Sequence, residues 1–430
     1  MAQLARSSRR KFFSGFLLHV HPRKVSTETL RFSLSFGLGG MSATLVGLLM
    51  VTGLLQILSY SPNIHETYGS VKNMYVGNSF SGWTRNIHFW SGNLLVVVTF
   101  LHCCRVFLTG AIGGERRRNW YVGLFLLGVI LFANFSGYLL PWDQLAFWAV
   151  TIFTSMMSYI PFVGNEIVEL LRGGNEIGSA TLSNFYAIHT GILPFCLVLF
   201  LVYHFWLIRK AGGLVRRESP KESTANLTPV APNLIVREAA VGLLLIAVIL
   251  LFSALVDAPL GEEANPAMSP NPAKAAWYFL GFQELLMHLH PTYVIFVVPS
   301  LVLLSLLILP YWQDSILPQG FWFGGSAGKI LAFWTSLAGF SCTVISIILS
   351  EKLRIATESG ATDSLTRGAL PTLALLLVYY LSYRLLTTRL KYTRAEAVMA
   401  GFIFSLTVLL CLTLSGVWFR GPGMQLTFFL

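Results

Sequence analysis

Apolar residues in this chain run in long blocks, and no stretch shows the strict two-residue alternation of a membrane β-barrel strand. Nine blocks of roughly 20 residues recur at approximately 33–58, 84–108, 120–140, 185–208, 237–256, 292–311, 328–350, 369–388 and 395–416. A helix of that length crosses the ~30 Å hydrocarbon core and satisfies its backbone polar groups internally. The pattern therefore predicts an all-α, polytopic membrane protein. A stretch rich in Pro, Ser and charge, ESPKESTANLTPVAPN, is the one internal break; it separates four spans from five. The expected organisation is an interfacial segment 1–30, a four-span unit 31–210, a cytoplasmic linker 211–235, a second unit 236–325, and extra helices 326–430.

Composition agrees with the pattern. Of 430 residues, 54% are hydrophobic and 11% charged, against about 25% charged in a soluble domain. A formal charge of +11 would suggest a nucleic-acid partner in a soluble protein, but here the cations have another use. Arg116, Arg117 and Arg118, then Arg209, Lys210, Arg216, Arg217 and Lys221, then Arg389, Lys391 and Arg394 fall in alternate loops on the side of the N-terminus. The positive-inside rule makes that side cytoplasmic, and an odd number of spans leaves the C-terminus outside. Most acids, including Glu166, Glu169, Glu176, Asp257, Glu262 and Glu263, belong to the opposite loops. Met1 to Lys11 is basic, and Phe12 to Val20 is too short to span, which fits an interfacial helix. The five cysteines all lie in apolar runs with no CxxC or CxxCH, so no disulfide framework, zinc site or covalent haem is expected.

Four of nine histidines sit inside two spans: His88 and His102 in one, His189 and His204 in another. Strongly polar side chains in lipid need partners, and a lone one would as readily be an interhelical hydrogen bond. The spacing argues for more. Separations of 14 and 15 residues return to within about 40–60° of one helix face and lie some 21–22.5 Å apart along the axis. Two such helices facing each other make two histidine pairs, one near each membrane surface. Paired imidazoles at two levels of a bundle suit two six-coordinate haems, whereas zinc would want further ligands nearby. Gly39 and Gly53 in the first span, and Gly123 and Gly137 in the third, repeat the interval of 14 and would let a flat macrocycle approach backbone. Arg85 just before His88 and Arg105 just after His102 are positioned either to meet haem propionates or to snorkel to the interface.

Beyond this point the sequence resembles the cytochrome b family of quinol:electron-acceptor oxidoreductases, over roughly residues 20–310. The resemblance is carried by GYLLPWDQLAFWAV (Gly137 to Val150), PFVGNEIVELLRGG (Pro161 to Gly174) and TLSNFYAIHTGILP (Thr181 to Pro194). It implies that His88 pairs with His189 on a low-potential outer haem and His102 with His204 on a high-potential inner haem. The 15-residue interval of the fourth span resembles cytochrome b6 of the b6f type. Nine spans in one chain suggest a bacterial fused variant, in the cytoplasmic membrane, and a bacterial origin favours menaquinone as the quinone.

Two positions depart from the family pattern. Gly37 stands where cytochrome b6 has a cysteine binding an extra c-type haem, so only the two b-type haems are implied. The quinol-site motif, Pro-Glu-Trp-Tyr in the family, here reads Ala275-Ala276-Trp277-Tyr278 and lacks its glutamate. Glu284 and His288 follow shortly, one turn apart, and His288 has the chemistry of a near-neutral base; His288 and His290 also fit solvated loop residues. The resemblance implies an outer quinol site from the 143–155 helix, Pro161 to Gly164, Trp277 and Tyr278. Arg237 and Glu238 occupy the place of a basic–acidic pair near an inner quinone site, or else are an ordinary charged helix start. The tail WFRGPGM, Trp418 to Met424, has no assigned chemistry and is free to contact a partner subunit.

The function so implied is a di-haem subunit that moves electrons from an outer quinol through two b haems to an inner quinone, coupled to proton translocation. With no iron–sulfur cysteine set, the chain would need a Rieske-type protein or a c-type cytochrome as acceptor, within a multi-subunit and dimeric complex in membrane lipid. Two other readings remain at this stage: a two-haem anchor wiring a dehydrogenase or hydrogenase to the quinone pool, and a transporter with structural histidines.

Overall fold

The computed structural model describes residues 24–76, 79–213, 227–353 and 361–427. Most of the expected interfacial segment lies outside these residues, as do Arg216, Arg217 and Lys221. In chain order the helices are α1 (Leu38–Ile57), α2 (Thr67–Val76), α3 (Ser79–Leu108), α4 (Arg117–Leu139), α5 (Gln144–Met157), α6 (Gly164–Arg172), α7 (Ser179–Lys210), α8 (Val230–Leu255), α9 (Leu280–His288), α10 (Tyr293–Tyr311), α11 (Ser326–Leu353), α12 (Leu365–Arg389) and α13 (Arg394–Trp418). Nine of the described helices (α1, α3, α4, α7, α8, α10, α11, α12 and α13) are long and apolar enough to cross a membrane.

Helix ends differ from the hydropathy blocks by a few residues, for local reasons. The first span starts at Leu38 and not near 33, because Phe36 and Gly37 both take left-handed backbone (φ 51° and 66°) and turn the chain. Glycine pays no Cβ penalty there. A Cβ on Gly37 would also stand 3.3 Å from Val241 Cγ1, so this corner seats α8 against the entry to α1.

In the first half α1 packs on α3, α3 on α4, and α4 on α7, while α8 covers α1 and α3. Leu45, Leu95, Val98, Leu126, Val129, Leu193 and Leu197 form its buried core. Two short strands, β1 (Lys24–Ser26) and β2 (Leu227–Pro229), pair antiparallel with Val25 opposite Thr228. They bring the chain before α1 and the chain after the linker together at one end of the bundle, as the even number of intervening spans requires. At the other end Asp143 caps α5, one carboxylate oxygen accepting from Ala146 N–H (2.9 Å) and the other from Gly261 N–H (2.8 Å).

The second half is organised around α13, which packs on α9 and α11 and thus across the position 325–326 where the sequence suggests a boundary. It is joined to the first half by the stacked rings of Phe107 and Phe402 (centroids 4.1 Å apart) and by Trp120 Nε1–H donating to Leu306 O (2.8 Å). By contrast, α12 exposes Leu373, Leu376, Leu377 and Leu381, an apolar surface suited to lipid.

Candidate functional site

The helices bring the four intramembrane histidines together in two pairs. His88 of α3 faces His189 of α7, their ring centroids 6.3 Å apart and their planes 73° to each other. His102 of α3 and His204 of α7 line one cleft with Arg105, Asn119 and Gly123. The 14-residue step along α3 separates the two levels by about 21 Å.

Each histidine is seated against one of the four glycines singled out by spacing. A Cβ would come 3.2 Å from His88 Cε1 at Gly53, 3.2 Å from His102 Cε1 at Gly39, 3.6 Å from His204 Cε1 at Gly123 and 2.6 Å from His189 Cε1 at Gly137. The glycines therefore make room for imidazole rings as well as for anything between them. Among the described residues no three His, Cys, Asp or Glu side chains gather to hold a metal ion. Two imidazoles per level suit a macrocycle that supplies the remaining donors itself, so these residues fit b-type haem.

The ring nitrogens away from the pair differ between levels. His88 Nδ1 lies 2.9 Å from Thr52 Oγ1; His189 Nδ1 lies 3.0 Å from both Ser136 Oγ and Ala133 O. His102 Nδ1 and His204 Nδ1 are buried without a hydrogen-bond partner among the described residues. Thr52 and Ser136 escaped the sequence reading. The signal was present: each immediately precedes one of the four glycines.

The two arginines diverge from a common expectation. Arg105 is buried on the wall of the His102–His204 cleft, and its Nε–H donates to Leu34 O (3.1 Å). Arg85, also buried, commits three of its five donors elsewhere, to Ala258 O (3.0 Å), Pro259 O (2.9 Å) and Tyr75 Oη. Its first task is thus to hold the 258–259 loop, which leaves two donors for a propionate.

Trp277 and Tyr278 sit at the start of α9 between the two halves. Trp277 Nε1–H donates to Asn93 Oδ1 (2.6 Å), and Phe279 packs on Phe153 of α5 (centroids 6.2 Å apart), which draws the amphipathic helix and this segment together. The Tyr278 hydroxyl is buried with no partner among the described residues, and burial, aided by nearby Tyr138, holds it well above the ordinary tyrosine range. Pro161 and Gly164 form the turn between α5 and α6. A Cβ on Gly164 would stand 2.6 Å from Met157 O and 2.7 Å from Ser158 O, so the tight turn itself requires glycine there. At the opposite end Arg237 Nη1–H donates to Leu30 O (2.6 Å), anchoring the chain before α1; Glu238 follows it on α8.

Glu284 is corrected by its surroundings: it is not a free base. It is fully buried and paired with Arg420, Nη2 to Oε1 at 2.6 Å and Nε to Oε2 at 2.9 Å. Ser415 Oγ adds a bond at 3.2 Å, while Arg420 also reaches Glu351. Burial alone would raise the Glu284 carboxyl, but hydrogen bonds from His288 and Arg420 and the guanidinium charge outweigh it and hold it down at about 2. His288 sits at the edge, Nε2 3.4 Å from Glu284 Oε1 and Nδ1 2.8 Å from Ser350 Oγ. Arg420, in the Trp418 to Met424 tail to which the sequence assigns no chemistry, folds into this cluster. An arginine 136 residues from its carboxylate leaves no local pattern to read.

Arg420→Met is expected to destabilise the protein by about 3–5 kcal/mol, since it strands a buried carboxylate; Glu284→Gln in the same chain recovers most of the loss. Thermal unfolding of the purified protein measures both. The sign with pH is also set. In the parent, Glu284 contributes stability above its ordinary value of 4.5 that is lost as pH falls toward about 2. In Arg420→Met, burial raises the carboxyl, so that variant gains stability as pH falls; equal pH profiles would refute the pairing.

The family model described as Cytochrome b/b6/petB matches residues 24–212, which contain all four histidines and their glycines. A cytochrome b6 of Tupiella akineta is 41% identical over 175 residues, 41% of this chain and 81% of that protein. Similar values hold for cytochrome b6 of Synechococcus elongatus (40% over 177 residues, 41% and 81%) and of Euglena gracilis (41% over 177 residues, 41% and 81%). A solved chain described as "Hyperthermophilic respiratory Complex III" superposes with a TM-score of 0.64 at 22% identity, covering 92% of each chain. That likeness is one of fold, and it extends to the helices beyond the family match.

Proposed function

Because the chain belongs to the cytochrome b/b6 family, we propose that it is the di-haem cytochrome b subunit of a quinol-oxidising respiratory complex. One observation carries the reading: imidazoles meet in pairs at two depths of one bundle, each against a helix glycine. When bound, a b haem at each level would supply one-electron carriers between a quinol oxidised outside and a quinone, menaquinone by preference, reduced on the cytoplasmic side.

The remaining roles belong to this chain's own groups. His88 and His189 would hold the outer haem, His102 and His204 the inner one, without covalent attachment. Arg105, and the spare donors of Arg85, would face carboxylates of those groups. The Tyr278 hydroxyl, kept protonated by burial, is a donor available to a quinol or quinone oxygen; Trp277 is fixed beside it by Asn93. Pro161 and Gly164 would shape the α5 side of that site. With the motif glutamate replaced by Ala276 and Glu284 held ionised by Arg420, His288 is the titratable group left on α9 to take a proton. Arg237 and Glu238 would serve quinone reduction and proton uptake at the cytoplasmic end.

Completion of turnover needs an acceptor this sequence does not encode, a Rieske-type iron–sulfur protein or a c-type cytochrome. The expected setting is a multi-subunit dimer in a bacterial cytoplasmic membrane, N-terminus inside and C-terminus outside. Redox titration of the purified protein is expected to resolve two one-electron b-type waves, and an inhibitor of the outer site to change how the inner haem reduces. Two waves indifferent to such inhibitors would favour a wiring anchor, and no reduced b-type bands would leave a transporter.

A further inference from the structure

The residues that precede the four glycines are Leu38, Thr52, Val122 and Ser136: apolar at the His102–His204 level and hydroxylic at the His88–His189 level. The hydroxyl protons at the second level are already spent. Thr52 Oγ1–H donates to Leu48 O (2.8 Å), and Ser136 Oγ–H donates to Ala133 O (3.0 Å). Each oxygen therefore meets its histidine as an acceptor, which puts a proton on Nδ1 of His88 and of His189 and leaves Nε2 as the lone-pair nitrogen. At the other level His102 Nδ1 and His204 Nδ1 find no acceptor among the described residues.

We propose that Thr52 and Ser136 tune the outer level to the lower redox potential of the two, and so set the direction of electron flow within the bundle. The inference rests on the di-haem reading above. An imidazole that donates its Nδ1–H becomes a more basic ligand through Nε2. A more basic axial ligand favours oxidised iron over reduced iron and lowers the potential. Both outer ligands are shifted in this sense and neither inner ligand is, so transfer from outer to inner runs downhill.

Redox titration of b-type absorbance in the purified full chain tests this. Thr52→Val is expected to move the lower-potential wave upward by a factor of about two to ten in the oxidised/reduced equilibrium, up to ~59 mV for a one-electron couple, with the higher wave unmoved. Ser136→Ala shifts the same wave less, because Ala133 O still accepts from His189 Nδ1. The reciprocal change, Val122→Ser, is expected to lower the higher wave. A lower wave unmoved by both outer substitutions, or movement of the higher wave by either, would overturn the assignment. Should Thr52→Val lose haem, Ser136→Ala and Val122→Ser decide the matter, and an unchanged pair of waves in both sinks it. A parent protein with a single wave refutes the di-haem reading instead, a separable result.

Discussion

On the proposed di-haem reading, replacement of His204 by alanine is expected to remove one haem and leave the other: haem content should fall from two per chain to one, the higher-potential wave should disappear, and the lower one should stay within its normal range. The reason lies in separation. The His102–His204 cleft and the His88–His189 pair belong to different levels of the same helices, about four turns apart. An alanine in the cleft leaves His102 without its opposite imidazole, while Thr52, Ser136 and the outer glycines are untouched. Loss of the proposed inner carrier would also end electron passage between the two levels, so quinol-driven quinone reduction should fall to background. Retention of both waves would break the pairing of His204 with His102.

Gly137→Leu is expected to abolish the outer haem with an effect as large, through shape and not ligation. A Cβ at Gly137 stands 2.6 Å from His189 Cε1, well inside the 3.5–4.0 Å of ordinary carbon contact. Helix α4 is packed on α7 and cannot back away without opening the bundle core, so His189 must turn off its partner. Gly123→Ala provides the control, because its Cβ would lie 3.6 Å from His204 Cε1 and be accommodated. The measurement is the b-type spectrum of each variant after purification. Equal haem content in the two variants would show that the glycines are there for reasons other than the histidines.

These contrasts show where sequence reasoning reaches. The spans were legible because a helix in lipid must satisfy its own backbone, which imposes length and apolarity on every crossing segment. The histidine and glycine intervals were legible because 14 residues is close to a whole number of helical turns, so spacing along the chain becomes depth in the membrane. Even the hydroxyls before Gly53 and Gly137 were present in the sequence as neighbours of residues already singled out. The first span began five residues later than its apolar block because two left-handed residues, Phe36 and Gly37, override hydropathy.

Partner choice over long distances was a different matter. Glu284, six residues after Tyr278, reads from sequence as a catalytic acid or base, whereas Arg420, 136 residues further on, pairs with it and holds it ionised. Arg85, one turn from His88, reads from sequence as a propionate ligand alone, whereas two of its donors hold the 258–259 loop and a third goes to Tyr75.

By itself, then, the sequence determined the membrane class, the four imidazoles and the two depths at which they lie. These follow from one helix at a time, through its rise, its turn and its need to bury polar backbone. Tertiary structure alone decided that His88 meets His189, that two of the four imidazoles find hydroxyl acceptors, and that Arg420 neutralises a carboxylate shortly after the Trp277–Tyr278 segment. Such outcomes depend on which helices pack together, and side-chain partners brought into contact by packing carry no periodic trace along the chain.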